Sequence, residues 1–97
     1  MRIYISGPIT NVIDYKEKFA RAEQDLKEKY PDSEIINPTV LDKLPLTYGE
    51  YMELDLRLID MCGAIYMLNG WEMSKGACIE FGYATAKELI ILSEVLP

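Results

Sequence analysis

Apolar residues recur along this chain with two different periods, and the alternation between them predicts the order of its elements. Arg2 to Ser6 is a short β-branched and aromatic run that stops at Gly7-Pro8, which reads as a strand followed by a loop. From Asp14 to Tyr30 the apolar positions Tyr15, Phe19, Ala22, Leu26 and Tyr30 return at helical spacing with charges between them, and Asp14 stands where an N-cap belongs. Pro31-Asp32-Ser33 ends that helix, Glu34-Ile35-Ile36 gives a brief second strand, and Asn37-Pro38 opens a loop to about Leu46. A second helix follows Thr47, with Tyr51, Leu54, Leu58 and Ile59 on one face and Thr47 and Glu50 at the spacing of a capping box; it should end near Cys62-Gly63. Ala64 to Leu68 is nearly all apolar, as a strand buried on both faces requires, and Asn69-Gly70 terminates it. Ser74 to about Lys87 predicts a third helix, Glu88 to Leu92 a fourth strand, and a short tail completes the chain.

Strands and helices that alternate with short connections predict a single α/β domain over residues 1–97, a Rossmann-like parallel sheet flanked by helices. Ligands of such sheets bind beyond the C-terminal ends of the strands. The candidate site is therefore built from the loops Ser6 to Asn11 and Asn69 to Lys75 and from side chains of the neighbouring helices.

Composition narrows the chemistry. At 97 residues the core is thin, and association of identical subunits into a homodimer or larger oligomer is expected to support it. A chain that is 49% hydrophobic and 27% charged is expected to fold. A net charge of −6 with no basic stripe argues against polymeric nucleic acid as a partner and leaves a small anionic molecule open. Cys62 and Cys78 lie in apolar sequence without a C-x-x-C spacing, so both are expected to be buried free thiols in a reducing, cytoplasmic setting. The start of the chain runs straight into strand-like sequence, with neither a signal-peptide core nor a membrane-length apolar stretch. There is no histidine, so catalysis must rest on carboxylates, hydroxyls, tyrosines or backbone, and neither a metal nor a cofactor is expected.

One carboxylate stands out. Within Gly76-Ala77-Cys78-Ile79-Glu80-Phe81-Gly82-Tyr83-Ala84, Glu80 interrupts an apolar, small-residue run, with Gly76 and Ala84 four residues away on its own face. Either Glu80 points into the junction between helix and sheet, where it needs partners or a task, or it projects to solvent; pattern alone leaves both open. Ser74 is a natural N-cap, and together with Lys75 and the free N–H groups at Gly76 and Ala77 it also has the makings of an anion site. Tyr4 is either core or a hydroxyl that orients a carboxylate, and Trp71 either stacks on a base or covers a sheet edge. Asp55 has no feature of pattern that singles it out, and Asp60 reads as solvated surface. Neither a Walker motif nor a dinucleotide fingerprint follows the first strand, where Ser6-Gly7-Pro8-Ile9-Thr10 stands instead.

Three segments, Ile3-Tyr4-Ile5-Ser6-Gly7-Pro8-Ile9, Asp55-Leu56-Arg57-Leu58-Ile59-Asp60 and Ser74 to Ala84, together resemble the nucleoside 2-deoxyribosyltransferase superfamily, in the expected order and over almost the whole chain. The last is the most specific, because Glu80-Phe81-Gly82-Tyr83-Ala84 is similar to the family's nucleophile helix. The resemblance implies an N-glycosidase in which Glu80 attacks C1′ of a nucleoside or nucleotide, Asp55 assists proton transfer to the leaving base and Tyr4 positions Glu80. Gly7, Pro8, Ile9, Thr10, Trp71, Ser74, Lys75 and Gly76, from the two candidate loops and the start of the third helix, are the residues expected to contact substrate. A serine at Ser74, where the transferases commonly carry an aspartate, resembles the branch that hydrolyses 2′-deoxynucleoside 5′-monophosphates. Pro8 and Thr10 depart from that branch, which uses a serine and an arginine there. A nucleotide-binding or sensing module without turnover is the competing reading, separable by whether bound nucleotide releases its base.

Overall fold

The computed structural model describes residues 1–94, and the short tail expected beyond them lies outside the described residues. Four parallel strands, β1 (Arg2–Ser6), β2 (Glu34–Ile36), β3 (Ala64–Met67) and β4 (Ile90–Ser93), form one sheet in the order β2-β1-β3-β4. Three helices connect them in turn, α1 (Tyr15–Lys29), α2 (Tyr48–Asp60) and α3 (Lys75–Ala86). This is the α/β architecture expected from the sequence. The fourth strand starts at Ile90 rather than Glu88, because Glu88 takes a left-handed conformation (φ 62°) that closes α3 and turns the chain back towards the sheet.

Strand geometry divides the core in two. Side chains of a strand alternate between faces, so Ile3 and Ile5 point one way and Tyr4 and Ser6 the other. Ile3 and Ile5 pack with Phe19, Ala22 and Leu26, the buried stripe of α1. Tyr4, Ile65 and Met67 pack on the opposite face with Ile59 of α2 and Ala77 and Ala84 of α3. One helix thus covers the first face and two cover the second, as right-handed crossovers demand once the chain moves outward from β1 to β2 and then back across to β3. The reversal of direction falls between β1 and β3, and the crevice beyond their C-terminal ends is where ligands of such sheets bind.

Local signals determine most helix ends. Thr47 and Glu50 form the expected capping box, with Glu50 N–H donating to Thr47 Oγ1 at 3.2 Å and Thr47 N–H to Glu50 Oε1 at 2.8 Å. Ser74 Oγ accepts from the Ala77 N–H at 3.2 Å and caps α3. Asp14 does occupy the cap position of α1, but its side chain accepts no capping hydrogen bond and pairs instead with Lys18 at 3.6 Å. The stretch expected as an open loop after Asn37 contains a 3-10 helix at Pro38–Lys43, because Asn37 Oδ1 accepts from the Thr39 N–H and Pro38 fixes the first helical φ. Cys62 is buried as expected; Cys78 is not, since it faces outward from the first turn of α3 and its thiol meets the Trp71 and Glu72 carbonyls.

Candidate active site

Tyr4 and Ser6, two residues apart on the central strand, share the face of the sheet against which α3 packs. The helix has small residues there, Ala77 and Ala84, so its backbone comes close and brings Glu80 down onto β1. Glu80 is 6% exposed, which resolves the two readings of its position in favour of burial. Tyr4 Oη donates to Glu80 Oε2 at 2.9 Å and Ser6 Oγ donates to Oε1 at 2.6 Å, so each carboxyl oxygen is held by one hydroxyl. Among the described residues no buried side-chain polar atom is left without a partner.

Beyond Glu80 opens a cavity of about 320 Å³, at the small end of the range of ligand pockets. Its floor carries Glu80, Ala77 and Asp55; Gly7, Ile9 and Thr10 come from the loop after β1, and Ser74 and Gly76 from the start of α3. A shallower recess adjoins it through Thr10, Tyr48, Ser74 and Gly76 and is completed by Pro8, Asn11, Met73 and Lys75. Two glycines keep this region open. A Cβ at Gly7 would lie 2.8 Å from Leu68 Cβ, and one at Gly76 would lie 3.1 Å from the Tyr48 hydroxyl, so Gly76 serves the approach of α2 rather than that of the sheet.

Electrostatics follow from the burial. Glu80 is raised from 4.5 to about 8, first by its removal from water and then by the Asp55 charge, while the Ser6 and Tyr4 hydroxyls oppose the shift by stabilising the carboxylate. Asp55 is raised from 3.8 to about 6, mainly by burial, with the Asp42 charge adding to it and contacts with Glu80 and Tyr4 opposing it. The two carboxyls therefore share a single proton near neutral pH. Tyr4 is pushed well above its usual value by burial and by the Glu80 charge, so its hydroxyl stays a donor.

The structure brings together in one cavity Glu80, Asp55, Gly7, Ile9, Thr10, Ser74 and Gly76, with Tyr4 directly behind Glu80 and with Pro8 and Lys75 in the adjoining recess. Trp71 is the exception. Its ring stacks on Phe81 at 4.4 Å and belongs to the packing outside α3 rather than to the cavity wall. Asp60 is exposed as expected and accepts a hydrogen bond from the Tyr83 hydroxyl at 2.6 Å. Several site residues escaped the sequence. Ser6 is expected from sequence at the junction of the first strand and its loop but with no role, although its position two residues after Tyr4 marks it as a second hydroxyl on the same face. Tyr15, Asp42, Tyr48 and Tyr51 also line the cavity, and they reach it from segments in which no local signal identifies them. Asp42, Asp55 and Glu80 face a common space, but among the described residues no three such side chains are grouped as metal ligands.

The domain superposes on a 2-desoxiribosyltransferase from Leishmania mexicana with a TM-score of 0.72 and 26% sequence identity, over 95% of this chain and 62% of that one. The chain thus spans less than two thirds of that enzyme's length. The likeness agrees with the superfamily resemblance carried by the three segments and with the parallel Rossmann-like sheet. No curated protein matches the sequence. Residues 1–93 match the model of a domain of unknown function, DUF4406, and the chain belongs to that family.

Proposed function

We propose that this domain cleaves the N-glycosidic bond of a deoxynucleoside or its 5′-monophosphate, with Glu80 as nucleophile. The observation that carries the reading is the buried Glu80 carboxyl at the base of a cavity, each oxygen held by a hydroxyl of β1. A carboxylate so fixed has one free direction, towards the cavity, and nucleophilic catalysis requires that alignment. A Glu80 oxygen attacks C1′ as the C1′–N bond breaks, and the bonding pair leaves with the base. The shared proton rests mainly on Glu80, and the reactive form is the one in which it has passed to Asp55, which then delivers it to the departing nitrogen. Water then attacks C1′ of the glycosyl ester, gives its proton to Asp55 and frees Glu80, so the configuration at C1′ is retained overall. A second base in place of water would make the same intermediate the centre of a transfer reaction.

The two hydroxyls matter to the protonation state. Burial keeps Glu80 mostly neutral near pH 7; donation from Ser6 and Tyr4 offsets part of that cost and so raises the share of the form in which Glu80 is ionised and Asp55 carries the proton. For the monophosphate, Ser74, Thr10 and Lys75 around the outer recess are the groups we assign to the phosphate, and Lys75 is the cation among them. That assignment is supported by the cap at Ser74, whose oxygen accepts from Ala77 and whose hydroxyl proton is therefore free to turn outward.

The test is base release from deoxynucleosides, ribonucleosides and their 5′-monophosphates, followed by chromatography, with Glu80→Ala alongside. Release by the native chain that is lost in the variant is expected. Saturable binding without release from any compound would refute turnover and leave a nucleotide-binding module. Ser74→Ala should weaken the monophosphate more than the nucleoside, and equal losses would remove Ser74 from the phosphate site.

A further inference from the structure

Tyr15, Pro38, Asp42 and Tyr51 line the inner cavity but not the recess beside it, so they belong to the part of the wall that the recess with Lys75 does not share. Their hydrogen-bonding capacity can be counted. The Tyr15 hydroxyl donates to Asp42 Oδ2 at 2.5 Å. The Tyr51 hydroxyl donates to the Leu41 and Leu44 carbonyls. Pro38 has no N–H to offer. Both hydroxyl protons are thus committed, and what this wall presents to a ligand is acceptor only: Asp42 Oδ1, the remaining lone pair on Oδ2, and the two phenolic oxygens. No Lys or Arg among the described residues lines the inner cavity to offset it.

Such a wall discriminates by sign. A ligand N–H directed at Asp42 gains a charge-assisted hydrogen bond, whereas a carbonyl oxygen in the same place meets a carboxylate with no proton between them. Proline and two phenol rings supply flat apolar surfaces of the kind a heterocycle rests against. Asp55 and Glu80, which act at the bond between sugar and base, line the inner cavity together with Asp42, whereas Lys75 lines only the recess, so a substrate with its phosphate at Lys75 has its base within reach of the wall that carries Asp42.

We propose that Asp42, held by Tyr15, is a specificity-determining residue that selects bases carrying an exocyclic amino group over their oxo counterparts. The proposal rests on the reading of the cavity as a nucleoside site and adds the class of base. Asp42 contacts the base in this scheme, and Tyr15 is a positioning residue that fixes the carboxylate.

Two matched pairs isolate the effect, deoxycytidine against deoxyuridine and deoxyadenosine against deoxyinosine, because within each pair an amino group is replaced by an oxo group. Each pair is measured as base release by the native chain and as calorimetric binding to Glu80→Gln, which cannot form the glycosyl ester. The amino member is expected to be favoured by about 10-fold or more in both assays, the scale of one good base contact. Asp42→Asn, which offers a donor as well as an acceptor, should bring the ratio to within about 3-fold, with Tyr15→Phe between the two. Equal or reversed preference in the native chain, or an Asp42→Asn that lowers both members of a pair alike, would overturn the assignment. Amino preference in binding with no base release anywhere would overturn the glycosidase reading and leave Asp42 standing. Release without preference would do the opposite, and neither binding nor release would overturn both.

Discussion

Replacing Glu80 by Gln should destroy turnover and at the same time stabilise the fold in alkaline solution. Glu80 is 6% exposed and its carboxyl is raised from 4.5 to about 8, chiefly because burial disfavours the charge. Between those two values the folded chain holds more protons than the unfolded one, so stability falls as pH rises through the window and the loss is complete above about 8. Each tenfold change in proton affinity corresponds to about 1.36 kcal/mol, which places the ceiling for this group at about 5 kcal/mol. A glutamine carries no charge and keeps one oxygen for Ser6 or Tyr4, but its amide protons require one of those hydroxyls to turn round and accept, a rearrangement that costs about 1 kcal/mol. The net gain expected at pH 9 is about 4 kcal/mol, or a rise in Tm of roughly 16 °C or more for a domain of this size. At pH 4, where the buried charge is absent, only the rearrangement remains and the variant should be less stable than the native chain by about 1 kcal/mol. Urea unfolding at intervals from pH 4 to pH 9, followed by far-ultraviolet circular dichroism, measures both curves. Parallel curves, with no widening gap as pH rises, would refute the argument that Glu80 bears the cost of a buried charge.

Three further outcomes follow from other contacts. Ser6→Ala removes the 2.6 Å donor to Glu80, which disfavours the carboxylate, so the acidic limb of the kcat/KM profile should move up by about one pH unit; an unmoved limb would mean that Ser6 does not tune the nucleophile. Gly7→Ala forces a Cβ to within 2.8 Å of Leu68 Cβ and should cost about 1–3 kcal/mol in urea unfolding, whereas an unchanged midpoint would show that the loop yields without penalty. Thr47→Ala breaks the capping box at the start of α2 and should lower stability by about 1 kcal/mol with kcat/KM within about twofold of native; a large loss of activity would show that the cap also positions Asp55.

The sheet, the helices and their order were legible because each rests on local signals. Apolar runs bounded by Gly7-Pro8 and Asn69-Gly70 define β1 and β3, and Thr47 and Ser74 announce the helices that they cap. Glu80 was conspicuous in the sequence, but its direction was not, since α3 is small and apolar on several sides and no dominant face says which one meets the sheet. Only the packing of Ala77 and Ala84 on β1 and β3 decides it. Trp71 could not be placed for the related reason that an aromatic in a loop beside a site has more than one surface to cover, and Phe81, ten residues on, offers it a stacking partner. Cys78 sits in apolar sequence yet faces outward, because a helix that packs one face must expose another whatever its composition. Asp42 belongs to a 3-10 helix in a stretch that looked like plain loop, and its place beside Tyr15 depends on a contact across 27 residues. Such contacts exist only after the chain has closed on itself.

The strand that grips the carboxylate has a consequence for how this domain moves. β1 is paired on both sides, with β2 and with β3; Tyr4 lies within both ladders and Ser6 in the ladder with β3. Local opening in proteins starts where backbone pairing is exposed or single-sided, and here that describes the edge strands β2 and β4 and the segments between elements rather than the centre of β1. The amide of Tyr4 should accordingly exchange with solvent only when the whole domain unfolds. The hydroxyls that aim Glu80 are then as persistent as the fold itself, so no reorganisation of that cradle has to accompany each reaction cycle. Motion that admits a ligand and releases its products is left to the opposite wall, where the 3-10 helix Pro38–Lys43 is tied down largely by side-chain hydrogen bonds from Tyr15 and Tyr51.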